Sequence, residues 1–85
     1  MIIVNPQTII QKNVTLFPGV TLGSNRREKY QGAPVINEEV WIGANAAIIG
    51  NVKIGRNVLI APNSYINFDV PENSICIGNP AKNNK

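Results

Sequence analysis

Eighty-five residues bound the protein to a single domain, and a chain this short gains little from an ordinary globular core. The net charge of +3 is mild, and its one basic cluster, Arg26, Arg27 and Lys29, favours a small anionic ligand. It comes with no basic stripe or aromatic platform, which excludes a nucleic-acid binder. A single cysteine rules out an internal disulfide, and no apolar run is long enough to span a membrane.

The chain opens in a six-residue register. Val4, Ile10, Leu16 and Leu22 stand six apart, with Thr8, Val14 and Val20 at the fifth place of each unit. The fourth place holds Gln7, Asn13 and Gly19, and the third holds Pro6 and Pro18. Proline fixes φ and helps to pre-set a turn. Asn13-Val14-Thr15 matches a glycosylation acceptor, but no secretion signal accompanies it, so it reads as a turn followed by a strand. The register then breaks between Leu22 and Ile36. One extruded polar loop at 24–34, ending in Gly32-Ala33-Pro34, accounts for the break. Loops on rigid scaffolds often carry function.

From Ile36 to Val70 the register is unbroken. Ile36, Ile42, Ile48, Ile54, Ile60 and Ile66 each open a hexapeptide. The fifth places are Val40, Ala46, Val52, Val58, Ser64 and Val70, and the fourth are Glu39, Asn45, Asn51, Asn57, Asn63 and Asp69. A period of six fits neither an amphipathic helix nor one long alternating strand. It fits short strands joined by tight turns, with the opening Ile and the small fifth residue inward. Asn tolerates left-handed backbone, so the fourth place reads as the turn. Three hexapeptides make one triangular coil, and coils stack as parallel ladders about 4.8 Å apart.

The pattern stops at Pro71-Glu72-Asn73. A last strand is expected at 74–77, where Cys76 between Ile75 and Ile77 reads as a small buried hydrophobe rather than a nucleophile. Gly78 to Lys82 is expected to turn the chain away, leaving 83–85 as a flexible tail. One domain over 1–82 is therefore predicted, of about three and a half coils with one loop. End coils of a solenoid need covering. With no cap visible before residue 4, the chain is expected either to associate or to be part of something longer. Phe17, Trp41, Leu59 and Tyr65 point outward by the alternation, so some should lie between protomers. A cytoplasmic protein is expected.

Several stretches together resemble the hexapeptide-repeat acyltransferases, in the serine acetyltransferase-like branch. They are the repeat itself, Gly19-Val-Thr-Leu-Gly23, the single loop ending at Pro34, Ile42 to Asn51, and Asp69-Val-Pro with Gly78-Asn-Pro-Ala-Lys82. The resemblance covers nearly the whole chain. It implies an all-β fold, a single-stranded left-handed parallel β-helix that assembles as a homotrimer. It also implies that acetyl-CoA lies in the groove between neighbouring β-helices, with no metal. Gly23 and Ser24 would line that groove at the loop start, Gly43 and Ala44 one coil up, and Ala61 and Pro62 one coil further. Lys82 would lie near the phosphate end. Pro62 stands where the family usually has Ala, and removes an N–H.

The implied reaction is acetyl transfer from the thioester to a hydroxyl of serine or a sugar. A backbone amide of a coil turn is the natural oxyanion donor. The family takes the hydroxyl proton with a histidine. One family histidine falls before Met1 and the other falls on Ala33, preceded by Gly32 where Arg is common. The chain contains no histidine, so no catalytic residue is assigned. Two readings follow: an O-acetyltransferase in a short or truncated form, or a non-catalytic trimeric β-helix serving as scaffold or CoA-binding module. A zinc carbonic anhydrase of this fold would need several His ligands. An ice-binding solenoid would need threonine ladders continuing beyond Thr8, Thr15 and Thr21. Both are excluded.

Overall fold

The computed structural model describes residues 1–24 and 31–84. Among them every regular element is a strand. β1 is Ile3–Val4, β2 Ile9–Ile10, β3 Thr15–Leu16, β4 Thr21–Gly23, β5 Val35–Ile36 and β6 Trp41–Ile42. β7 is Ala47–Ile49, β8 Lys53–Ile54, β9 Leu59–Ile60, β10 Tyr65–Ile66, β11 Ile75–Gly78 and β12 Ala81–Asn84. Among the described residues no helix is long and apolar enough to cross a membrane.

The strands form the three faces of a prism. The first sheet runs β1-β4-β7-β10, the second β2-β5-β8, and the third β3-β6-β9-β11-β12. All neighbours are parallel except β11 and β12. Successive strands of the chain lie on successive faces, so each coil visits all three. The register follows from the repeat. Ile3 pairs with Thr21 and Ala47 with Tyr65, three hexapeptides apart. Pairs that straddle the loop are further apart in sequence, as Thr21 with Ala47 and Ile9 with Val35. The loop therefore leaves the stack above and below it in step.

The predicted inward positions form the core. Ile36, Ile42, Ile48, Ile54, Ile60 and Ile66 are fully buried, and Val40, Ala46, Val52, Val58, Ser64 and Val70 are buried beside them. The β-branched Ile and Val suit these stacked pleats. Pro34, read as the end of the loop, is also buried and fills the inward fifth place before Ile36. Most corners turn as expected: Asn13, Glu39, Asn45, Asn57 and Asn63 have φ between 58° and 63°.

The last coil departs from the repeat. Ile75 pairs with Leu59 and Val70 bridges Ile54, two residues short of the regular spacing. Val70 thus occupies the inward position that an opening Ile would hold. The strand expected at 74–77 lies at Ile75–Gly78. The segment from Gly78 does not leave the body but reverses, and β12 pairs antiparallel with β11, Ile77 opposite Lys82. Asn83 and Asn84, expected in a tail, belong to β12; Lys85 lies outside the described residues.

Candidate functional site

The sequence-selected residues fall on two different edges of the prism. The edge joining the third sheet to the first carries stacked turns at Pro18–Gly19, Ala44–Asn45 and Pro62–Asn63. Asn45 N–H donates to Pro18 O (3.0 Å) and Asn63 N–H to Ala44 O (2.9 Å), which ties each turn to the one below. Gly43, Ala44, Ala61 and Pro62 are therefore brought together in one column. Gly43 is packed beneath Pro62: a Cβ there would sit 2.6 Å from Pro62 N and 2.8 Å from its Cδ. Coil stacking alone thus requires glycine at 43.

The backbone amides of that column are unequally available. Gly43 N–H donates to Ile60 O (2.8 Å) and Ala61 N–H to Cys76 O (2.9 Å), so both belong to the ladder. Pro62 has no N–H. Ala44 N–H has no partner among the described residues, and Ala44 is half-buried. Among these four residues Ala44 carries the one main-chain N–H that the ladder does not use.

Gly23 and Ser24 lie elsewhere, on the edge between the first and second sheets, where the loop departs. Gly23 O accepts from Gly50 N–H (2.9 Å), and a Cβ on Gly23 would meet the flexible end of Ile49 at 3.0 Å. Ser24 is exposed. Lys82 is exposed on β12, at the outer margin of the third sheet. Within one chain, then, the Gly43–Pro62 column and the Gly23–Ser24 pair are separated by the first face of the prism. They can line one groove only if the edges of two chains meet.

Ala33, at the position of the implied histidine, is buried at 9% exposure, and Gly32 before it adopts φ 123° against Asn51. No ionisable group stands there. The basic cluster Arg26, Arg27 and Lys29, with Glu28 and Tyr30, lies outside the described residues. Cys76 is fully buried, and burial pushes its thiol above the ordinary value of 9.0. That keeps it protonated and inert, as expected for a small core residue.

One cleft was not anticipated. About 560 Å³ opens between the second and third sheets, flanked by Glu38, Lys53, Arg56, Asp69 and Glu72. It exists because the last coil is two residues short. Asp69 Oδ1 accepts from Lys53 N–H (2.8 Å), and the chain crosses to β11 without a full strand on the second face. The signal in the sequence was the stop at Pro71.

Residues 33–67 match the family described as bacterial transferase hexapeptide (six repeats). Serine acetyltransferase of Haemophilus influenzae is 37% identical over 81 residues, which is 95% of this chain and 30% of the relative. The chain spans between about a quarter and two fifths of the length of the curated relatives it matches. Among solved structures, serine acetyltransferase of Neisseria gonorrhoeae superposes with a TM-score of 0.92 at 36% identity, covering 99% of this chain and 33% of that one. Serine acetyltransferase of Brucella abortus in complex with coenzyme A superposes at 0.89 and 34% identity, covering 95% and 32%. The likeness runs through every coil and is strong in sequence as well as shape. The chain carries the hexapeptide repeat of bacterial transferases and is a homologue of serine acetyltransferases at about 36% identity, and its fold is the left-handed parallel β-helix of those structures.

Proposed function

We propose that the chain forms the acetyl-CoA-binding β-helix of an O-acetyltransferase acting on a hydroxyl of serine or a sugar, and that it works as a homotrimer. The observation that carries the reading is the column Gly43, Ala44, Ala61, Pro62 on one edge, set apart from Gly23 and Ser24 on another. A pantetheine arm needs close approach to backbone, and small residues on two edges facing each other across a protomer boundary provide it. Support for the cofactor comes from the relative solved with coenzyme A, and for the acceptor from the relative solved with serine. Lys82, exposed at the margin, suits the phosphate end of the cofactor.

An apolar ladder on the third face supports the assembly. Thr15, Trp41, Leu59 and Ile75 pair in register across it, with Phe17 and Ile77 one step along. Leu59, Ile75 and Ile77 are 41–49% exposed. Trp41 is half-buried against Phe17, ring centroids 4.6 Å apart, and Tyr65 is half-buried on the first face. Contiguous exposed apolar residues of this kind mark association surfaces.

In the reaction so read, the acceptor oxygen attacks the thioester carbonyl carbon, the oxyanion collapses and the C–S bond breaks. The acetyl group ends on the acceptor oxygen, and the acceptor proton passes through a base to the departing sulfur, so that CoA leaves as the free thiol. Ala44 N–H, unpaired among the described residues, would be the turn amide that donates to the thioester oxygen. The base is what this chain does not itself supply, having no histidine. That absence favours a second reading, a trimeric β-helix that binds CoA or serves as scaffold without turnover. Calorimetric titration of acetyl-CoA tests the cofactor reading. Saturable binding near one site per protomer, lost in Ala44→Trp with the far-ultraviolet spectrum unchanged, is expected. No binding at millimolar ligand would overturn it.

A further inference from the structure

Two edges of the prism differ in the main-chain donors they offer outward. On both, the third residue of each hexapeptide sits at the corner, just before the fourth-place turn residue. On the edge between the second and third sheets these corner residues are Lys12, Glu38, Arg56 and Glu72. Each has an N–H without a partner among the described residues. Glu39, Asn57 and Asn73 tie that column together by donating to the carbonyls of Lys12, Glu38 and Arg56 (3.0–3.2 Å). The edge between the third and first sheets is tied in the same way, but its corner residues are Pro18, Ala44 and Pro62. Proline suits a corner that precedes a positive φ, and Gly19, Asn45 and Asn63 supply φ of 84°, 63° and 63°. It has no N–H to offer. Pro18 and Pro62 are exposed and Ala44 is half-buried. The column therefore shows ring, methyl, ring, with one donor at its centre.

We infer that Pro62 restricts this edge to a single main-chain bond, so that the chain reads the thioester carbonyl of its acyl donor and not the amide beside it. The inference rests on the acetyl-CoA reading above, in which Ala44 N–H meets the thioester oxygen and Lys82 the phosphate end. Lys82 lies on β12, beyond β9 and β11 in the third sheet. The arm therefore leaves Ala44 towards the last coil and crosses Pro62 next. Coils are spaced about 4.8 Å apart. In a pantetheine arm the amide carbonyl nearest the sulfur lies five bonds from the thioester carbonyl. Staggered torsions bring it level with the next coil. A donor at position 62 would pair with it; Pro62 presents a pyrrolidine ring instead. Sliding the arm by one coil in the other direction finds Pro18, which has no donor either. The substrate class follows. An acetyl thioester of a small thiol, with or without that amide, satisfies this edge as fully as the pantetheine thioester does. Preference for the whole cofactor is left to contacts beyond Pro62, Lys82 among them.

Two acetyl thioesters of equal chain length test it: S-acetyl-N-acetylcysteamine, which carries the amide, and S-pentyl thioacetate, which does not. Pro62→Ala restores the N–H at a corner where Ala44 shows that alanine fits. It should tighten binding of S-acetyl-N-acetylcysteamine and of acetyl-CoA about fivefold, the net contribution of one hydrogen bond. Binding of S-pentyl thioacetate should not change. In the same variant the new amide at position 62 should exchange more slowly once acetyl-CoA is bound. Pro62→Ser restores the same N–H and should reproduce the selective gain, so either variant decides if the other fails to melt cooperatively. Equal changes for the two thioesters, or none, would overturn the inference and leave the acetyl-CoA reading standing. Failure of the unaltered chain and of both variants to bind acetyl-CoA would overturn that reading, and this inference with it.

Discussion

The two ends of this β-helix use the same hexapeptide code and reach opposite results. At the C-terminal end the inward residues Ile66, Val70 and Cys76 are 0–2% exposed. The chain closes that end itself: Phe68 packs against the core and β12 folds back on β11, burying Ala81. At the N-terminal end the equivalent inward residues Val4 and Ile10 are 40% and 39% exposed, and Leu16 is half-buried. The code specifies which way a side chain points; burial requires a layer above it. A coil's contribution to stability is therefore set by its neighbours, as nearest-neighbour behaviour of solenoids demands.

The largest expected effect contrasts the two regions directly. Ile54→Ala, inside the stack, should cost about 2–5 kcal/mol by lost transfer energy and a cavity. Ile10→Ala, at a position 39% exposed, should cost less than half as much. Equal costs in urea unfolding would break the comparison. Next come the glycines on the two edges. Gly43→Ala forces a methyl into Pro62 and should lose about 1–3 kcal/mol as overpacking, whereas Gly23→Ala meets only the mobile tip of Ile49 and should lose less. Thermal melts of the pair rank them.

A smaller effect goes the other way. Thr8 occupies an inward fifth place in the first coil, and its Oγ1 is buried without a hydrogen-bond partner among the described residues. Thr8→Val replaces that oxygen by a methyl of similar shape and should stabilise the protein by about 1 kcal/mol. The least effect concerns Cys76 in the closed end. Its folded pKa is raised above the ordinary 9.0, so above that pH the unfolded chain ionises first. The thiol's contribution is then whole below about pH 9 and falls as pH rises further. Subtracting the pH profile of Cys76→Ala from that of the parent should isolate this loss; an unchanged difference across pH 8 to 10 would show that the thiol is not sequestered.

The prism was legible in the sequence because the opening Ile and small fifth residue leave no other self-consistent packing. The turns were legible only in part. Asn45, Asn57 and Asn63 adopt left-handed φ as their position suggests, but Asn51 and Asp69 do not; at one corner Gly50 takes φ 100° instead. These exceptions lie on the edge between the first and second sheets, where Asp69 caps Lys53 N–H and Gly50 reaches back to Gly23. A period of six conceals a period of eighteen, since the three edges of a coil need not turn alike. The candidate site was legible as a set of small residues but not as a place. Spacing puts Gly43 beside Pro62; only the fold shows Gly23 and Ser24 on another edge. The charged cleft was hidden because it arises from two missing residues, which a repeat pattern does not record.

Residue-resolved hydrogen exchange on the 85-residue chain tests the contrast between the two regions most directly. The amides of Ile48, Ile54 and Ile60, inside the stack, should exchange slowly. Those of Val4, Ile10 and Leu16, in the exposed first coil, should exchange fast. Equal protection in the two sets would contradict the account, because burial would then not depend on a neighbouring coil.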